Sequence, residues 1–83
     1  MKEIYVVFQV KLNKPNEEFM RHAFTSEEEA ERFCINFLYR SSTLEDRHNE
    51  SIQRDVWHYG TEYSLFTSYY GRITLRIKKT TLD

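Results

Sequence analysis

The side chains best suited to chemistry in this sequence are few and scattered. His22, His48, His58 and Cys34 are the obvious metal-ligand and nucleophile types. The histidines share no ligand spacing with one another or with Cys34, so a tetrahedral zinc site is not expected. Cys34 falls on the apolar stripe of a helix, where a thiolate is disfavoured, and packing is the expected role. Glu17 and Glu18 could act as a carboxylate pair, but adjacent residues of a strand point to opposite faces. Gly60 and Gly71 are the only glycines. Two are too few for a phosphate loop or a dinucleotide fingerprint, and no serine elbow is present. No catalytic residue, metal or cofactor is expected.

Two groups of residues remain. Trp57, His58, Tyr59, Tyr63, Tyr69 and Tyr70 crowd into fourteen positions. That density exceeds what one small core can bury, and exposed Tyr and Trp are the types that anchor protein interfaces. The competing expectation is that they form cross-strand ladders in a thin sheet. The second group lies on the first and last apolar-alternating segments: Tyr5, Val7, Gln9 and Lys11 share one parity, and Arg72, Thr74, Arg76 and Lys78 share the other segment's outward parity. If those segments are neighbours, Tyr5 with Lys11, Arg72, Arg76 and Lys78 makes a platform for single-stranded nucleic acid or a nucleotide, with stacking on tyrosine and phosphates on the cations. Its competitor is a solvated sheet face covered by long side chains.

The elements that must position these residues centre on one helix. Over Thr25–Arg40, Ala30, Phe33, Cys34, Phe37 and Leu38 recur at helical spacing. Ser26 with Glu29 reads as a capping box, and Glu27, Glu28 and Glu29 stand in the first turn, where the helix dipole favours them. Before it, Ile4, Val6, Phe8, Val10 and Leu12 alternate with polar positions and predict a strand with these five facing inward. Asn13 to Asn16 predict a turn, and residues 17–24 the returning arm of a hairpin. In that arm Phe19 and Ala23 have one parity while Met20 and Phe24 have the other, so its face is open. Residues 41–51 read first as a mobile loop, with a short helix capped by Thr43 and Asp46 as the rival. From Asp55 onward aromatic and β-branched residues with Gly60 and Gly71 predict a three-strand meander. It ends on Ile73, Leu75 and Ile77, after which Lys79 to Asp83 should fray. The expectation is a single α+β domain over 1–83: a four- to five-stranded antiparallel sheet in the order ββαββ or ββαβββ, one helix covering one face.

With 12 basic and 13 acidic residues the formal net charge is -1. That argues against a generally basic nucleic-acid binder. The single cysteine excludes an intramolecular disulfide. No apolar run approaches a membrane span, and the N-terminal alternation is not a signal-peptide core. A cytoplasmic protein without membrane contact is expected. In size, charge balance, aromatic density and lack of catalytic signature the chain is similar to the small accessory proteins that phages and mobile elements encode, among them anti-CRISPR inhibitors of bacterial defence. The likeness is of general character over the whole chain and carries no site residue. The functional expectation is a non-enzymatic protein-binding module, most concretely an inhibitor of a host enzyme or defence complex, acting through Trp57 to Tyr70. Homodimerisation through the uncovered sheet face or an edge strand is also expected.

Overall fold

Ile73, Leu75 and Ile77 set the sidedness of the sheet, because all three are buried while Arg72, Arg76 and Lys78 point the other way. They belong to β5 (Gly71–Leu82), the central strand of a five-stranded antiparallel sheet in a computed structural model that describes residues 2–58 and 60–82. β1 (Lys2–Lys11) and β4 (Gly60–Thr67) flank it, with β2 (Lys14–Phe24) and β3 (Gln53–Trp57) at the edges. One long helix, α1 (Glu27–Arg40), lies on one face. Ala30, Cys34 and Leu38 are buried there against Val7, Tyr63, Leu65, Ile73, Leu75 and Ile77, with Phe33 and Phe37 packed beside them. Ser26 is the N-cap, and its carbonyl accepts from Ala30 N, but its hydroxyl makes no capping hydrogen bond. The box expected with Glu29 therefore does not form.

β1 is turned over relative to its expected face. Its register puts Val7 opposite Ile77 and Gln9 opposite Leu75, so Tyr5, Val7 and Gln9 lie on the helix side. Both parities of β1 are apolar, and the strand's own alternation cannot choose between them; the unambiguous side of β5 chooses instead. Val6 and Phe8 are left on the open face, where the Lys78 ammonium sits 4.8 Å from the Phe8 ring. Long side chains covering apolar surface take the place of a second helix there.

The parity of β2 changes along its length. Val7 pairs with His22 and Phe8 with Met20, which leaves Arg21 as an extra residue in a β-bulge. Phe19 lies opposite Gln9 and Phe24 opposite Tyr5, so both face the helix although they are five positions apart. The hairpin turn is Leu12–Asn13, earlier than expected, and Pro15 stands inside β2. An edge strand tolerates it, since no ladder bond is required on the outer side. At the other end of the chain Thr80 and Thr81 pair with Ile4 and Glu3, and the Lys79 ammonium bridges Glu3 at 3.0 Å. The segment expected to fray is strand up to Leu82, and Asp83 lies outside the described residues.

Residues 41–51 are not a loop throughout. They contain α2 (Leu44–Asn49), whose capping box is complete: Asp46 N donates to Thr43 Oγ1 at 3.1 Å, and Thr43 N donates to Asp46 Oδ2 at 3.0 Å. Two orphan donors satisfied reciprocally outweigh the small apolar surface of so short a helix.

Candidate protein-binding end of the sheet

The expected aromatic segment folds as a meander, and this separates its members. Trp57 and His58 stand where β3 turns into β4, whereas Tyr69 and Tyr70 stand where β4 turns into β5, at the far end of a body 44 Å long. Tyr59 lies outside the described residues. Tyr63, midway between the ends, is only 4% exposed on the helix side, and its hydroxyl accepts from Arg54 Nε at 3.1 Å. Burial makes the phenol a weaker acid, pushing its pKa up, and the hydrogen bond from Arg54 only partly opposes this. It is a core residue. Trp57 is on the open face beneath the Arg76 guanidinium, 4.9 Å from its ring.

The five residues of the expected nucleic-acid platform are also not assembled. Tyr5 is on the helix side, its hydroxyl donating to Glu3 at 3.2 Å. Partial burial, then Glu3, pushes its phenol upward. Lys11 is paired with Glu17 at 3.5 Å in the hairpin. Arg72, Arg76 and Lys78 do share the open face, but each has a carboxylate partner: Arg72 with Glu50 at 3.2 Å, Arg76 with Glu18 and Glu62 at 3.3 Å each, and Lys78 with Glu18. Burial of Glu18 works to raise its carboxyl, and the Lys78 and Arg76 charges outweigh it, holding the group below the usual carboxylate range. This face is a neutralised ion network.

The other end of the molecule is built differently. The Leu12–Asn13 turn, the C-terminal turn of α1, α2 and the Ser68–Tyr70 turn converge there because β1, α1 and β4 all run toward it. Asp46 ties the parts together: beyond its capping role, its Oδ1 accepts from Ser68 N at 3.1 Å, which locks α2 to the β4–β5 turn. The turn is further held by Thr67 Oγ1, which donates to Gly71 O at 2.8 Å and accepts from Tyr70 N at 3.0 Å. On this fixed support Tyr69 is 82% and Tyr70 50% exposed, their rings edge to face at 4.7 Å. Leu12 (46% exposed), Tyr39 and Leu44 (72% exposed) add apolar surface around them.

Three clefts open at this end. One of about 220 Å³ is lined by the apolar side chains of Leu12, Phe37, Tyr70 and Ile73 together with Gln9, Arg21 and Ser41. The others, about 360 and 490 Å³, share Tyr39 and Arg47 and run along α1 and α2. Arg47 is stacked 5.4 Å over the Tyr39 ring. Sequence reasoning reached Tyr69 and Tyr70 but missed Leu12, Arg21, Tyr39, Leu44 and Arg47. The one available signal was the Thr43–Asp46 box, which marked α2 as structured.

Among the described residues no group of three or more His, Cys, Asp or Glu is arranged to hold a metal ion. Burial, with a smaller contribution from Glu31, pushes the Cys34 thiol up to about 12, so it is protonated and unreactive at neutral pH. No described helix is long and apolar enough to cross a membrane.

The Asp46 strut gives a prediction. The bond from Thr43 N is the chief cause that holds its carboxyl below the ordinary value of 3.8, with Ser68 adding to it against a desolvation cost. A carboxyl depressed in the folded state contributes stability that is complete above its ordinary value and is lost as the pH falls through the lowered one. Acid should therefore release the β4–β5 turn before the sheet. In Asp46→Ala, amide exchange at Ser68 and Thr43 should be fast already at neutral pH while β5 amides keep their protection. Unchanged exchange at Ser68 in that variant would show that the strut holds nothing.

Compared with family models, curated proteins and solved structures, the chain has no significant match, so its own residues carry the functional argument.

Proposed function

We propose that the chain is a non-enzymatic protein-binding module that docks its partner on the end formed by Leu12, Tyr39, Leu44, Tyr69 and Tyr70. The observation that supports this reading best is the presentation of two exposed tyrosines on a turn already fixed by its hydrogen bonds with the Thr67 hydroxyl and the Asp46 carboxylate. A preordered aromatic pair brings contact area with little rotamer entropy left to lose, which is the profile of an interface anchor. In its most concrete form the module is an inhibitor, a cytoplasmic phage or mobile-element accessory protein that occupies a surface of a host enzyme or defence complex.

The open sheet face supports the other readings less well. Nucleic-acid binding there would have to displace the carboxylates that already neutralise Arg72, Arg76 and Lys78. A dimer through the same face would desolvate that ion network, which costs more than it returns unless every charge is re-paired. A dimer through β2 meets a bulge and Pro15, and leaves β3 as the edge open to pairing.

The test is affinity capture with matched variants. A protein captured by the wild type should be lost with Tyr69→Ala/Tyr70→Ala and retained with Trp57→Ala, because Trp57 lies at the opposite end. Retention in the first variant and loss in the second, both remaining folded, would move the interface to the open face.

A further inference from the structure

The cations of the open face and those of the docking-end clefts differ in their partners. Those of the open face are matched with carboxylates, whereas Arg21, Arg40 and Arg47, which border the clefts of the docking end, have no ion-pair partner among the described residues. Arg21 is the most constrained of the three. It is the extra residue of the β2 bulge, a device that re-aims a side chain. Its guanidinium lies 5.1 Å from both the Phe19 and Phe37 rings, and its Nε donates to Gln9 Oε1 at 2.7 Å. The two terminal nitrogens meet no acceptor among the described residues, and Arg21 lines the 220 Å³ cleft together with Ile73 and Phe37.

A volume of about 220 Å³ lies below the roughly 300–1,000 Å³ of small-molecule sites. It suits one side chain of a larger partner. Apolar lining from Leu12, Phe37 and Ile73 beside a positioned guanidinium without an ion pair selects an apolar side chain next to a carboxylate, since the planar fork of arginine matches a carboxylate with two parallel bonds. We propose that the Arg21 cleft receives an aromatic or aliphatic side chain from an acidic segment of the partner protein, with the adjoining carboxylate held by Arg21 and further acidic residues meeting Arg47 and Arg40. This rests on the docking end proposed above and gives its partner a chemistry. A polyphosphate backbone fits less well, because it supplies charge but nothing for the apolar lining.

The probe is a random dodecapeptide library displayed on phage and selected against the wild-type protein, Arg21→Gln and Tyr70→Ala. Gln retains a hydrogen-bonding group near Gln9, and the circular dichroism of each variant checks folding. The wild type should enrich peptides with Asp or Glu beside an aromatic or aliphatic residue. Arg21→Gln should lose the acidic enrichment, and affinity for a selected peptide should fall about tenfold or more. A wild-type consensus without acid, or one unchanged in Arg21→Gln but lost in Tyr70→Ala, would overturn the acidic partner and leave the docking end standing. Peptides insensitive to both variants would overturn both. A mixed single-stranded oligonucleotide serves as the second probe, and binding to it that Arg21→Gln abolishes would replace the acidic segment by phosphate.

Discussion

Gly60→Ala is expected to destabilise the protein severely, although it adds one methyl group. Gly60 has φ +153°, in the half of the map that side-chain-bearing residues avoid, and a Cβ there would lie 1.9 Å from the carbonyl oxygen of Ile77. That oxygen belongs to the central strand and cannot move without breaking the ladder between β4 and β5. Strain and overpacking together should cost about 3 kcal/mol or more. For a domain of this length, total stability is roughly 4–12 kcal/mol. Gly71→Ala is the internal comparison. Its φ is +77°, but no atom lies within 4 Å of the added Cβ, so only the backbone term of about 1–2 kcal/mol applies. Urea midpoints of the two variants check this. Equal midpoints would mean that the approach of Ile77 to Gly60 does not limit the sheet.

Leu75→Ala should have the second large effect, about 2–5 kcal/mol. Leu75 is fully buried on the helix side of β5, between Gln9 and Tyr63, and α1 lies above it. With strands on both sides and a helix on top, the site has little freedom to collapse onto the space left by the isobutyl group. Phe66→Ala on the open face removes a larger side chain, yet Phe66 is half exposed and should cost much less. If the phenylalanine variant were the less stable of the two, the open face would be contributing core energy and would not be a solvated ion network.

Much of this architecture can be read from the residues. The stripe from Ala30 to Leu38 and the alternation of Ile73, Leu75 and Ile77 each have one self-consistent period, so the helix and the central strand follow from local pattern. β1 does not behave this way. With Tyr5 and Val7 on one parity and Val6, Phe8 and Val10 on the other, its face is decided by pairing with β5, a contact some seventy residues away in sequence. The bulge at Arg21 marks the sequence only as the mixed parity of Phe19 and Phe24, which by itself reads as an undecided face and not as an extra residue. The docking end combines both problems. Leu12, Tyr39, Leu44 and Tyr70 come from four separate segments, and only the fold brings them together. The aromatic run from Trp57 to Tyr70 showed the opposite effect: neighbours in sequence were sent to opposite ends by two turns. Density along the chain is not density on the surface where an antiparallel meander intervenes.

In the proposed function, binding happens at the end where α1, α2 and the two turns meet. Hydrogen exchange of the protein alone and in complex with its captured partner tests this most directly. Added protection is expected at Tyr39–Arg47 and Ser68–Tyr70, with Gln53–Trp57 unchanged. Added protection confined to Gln53–Trp57, with the turns exchanging as in the free protein, would contradict it.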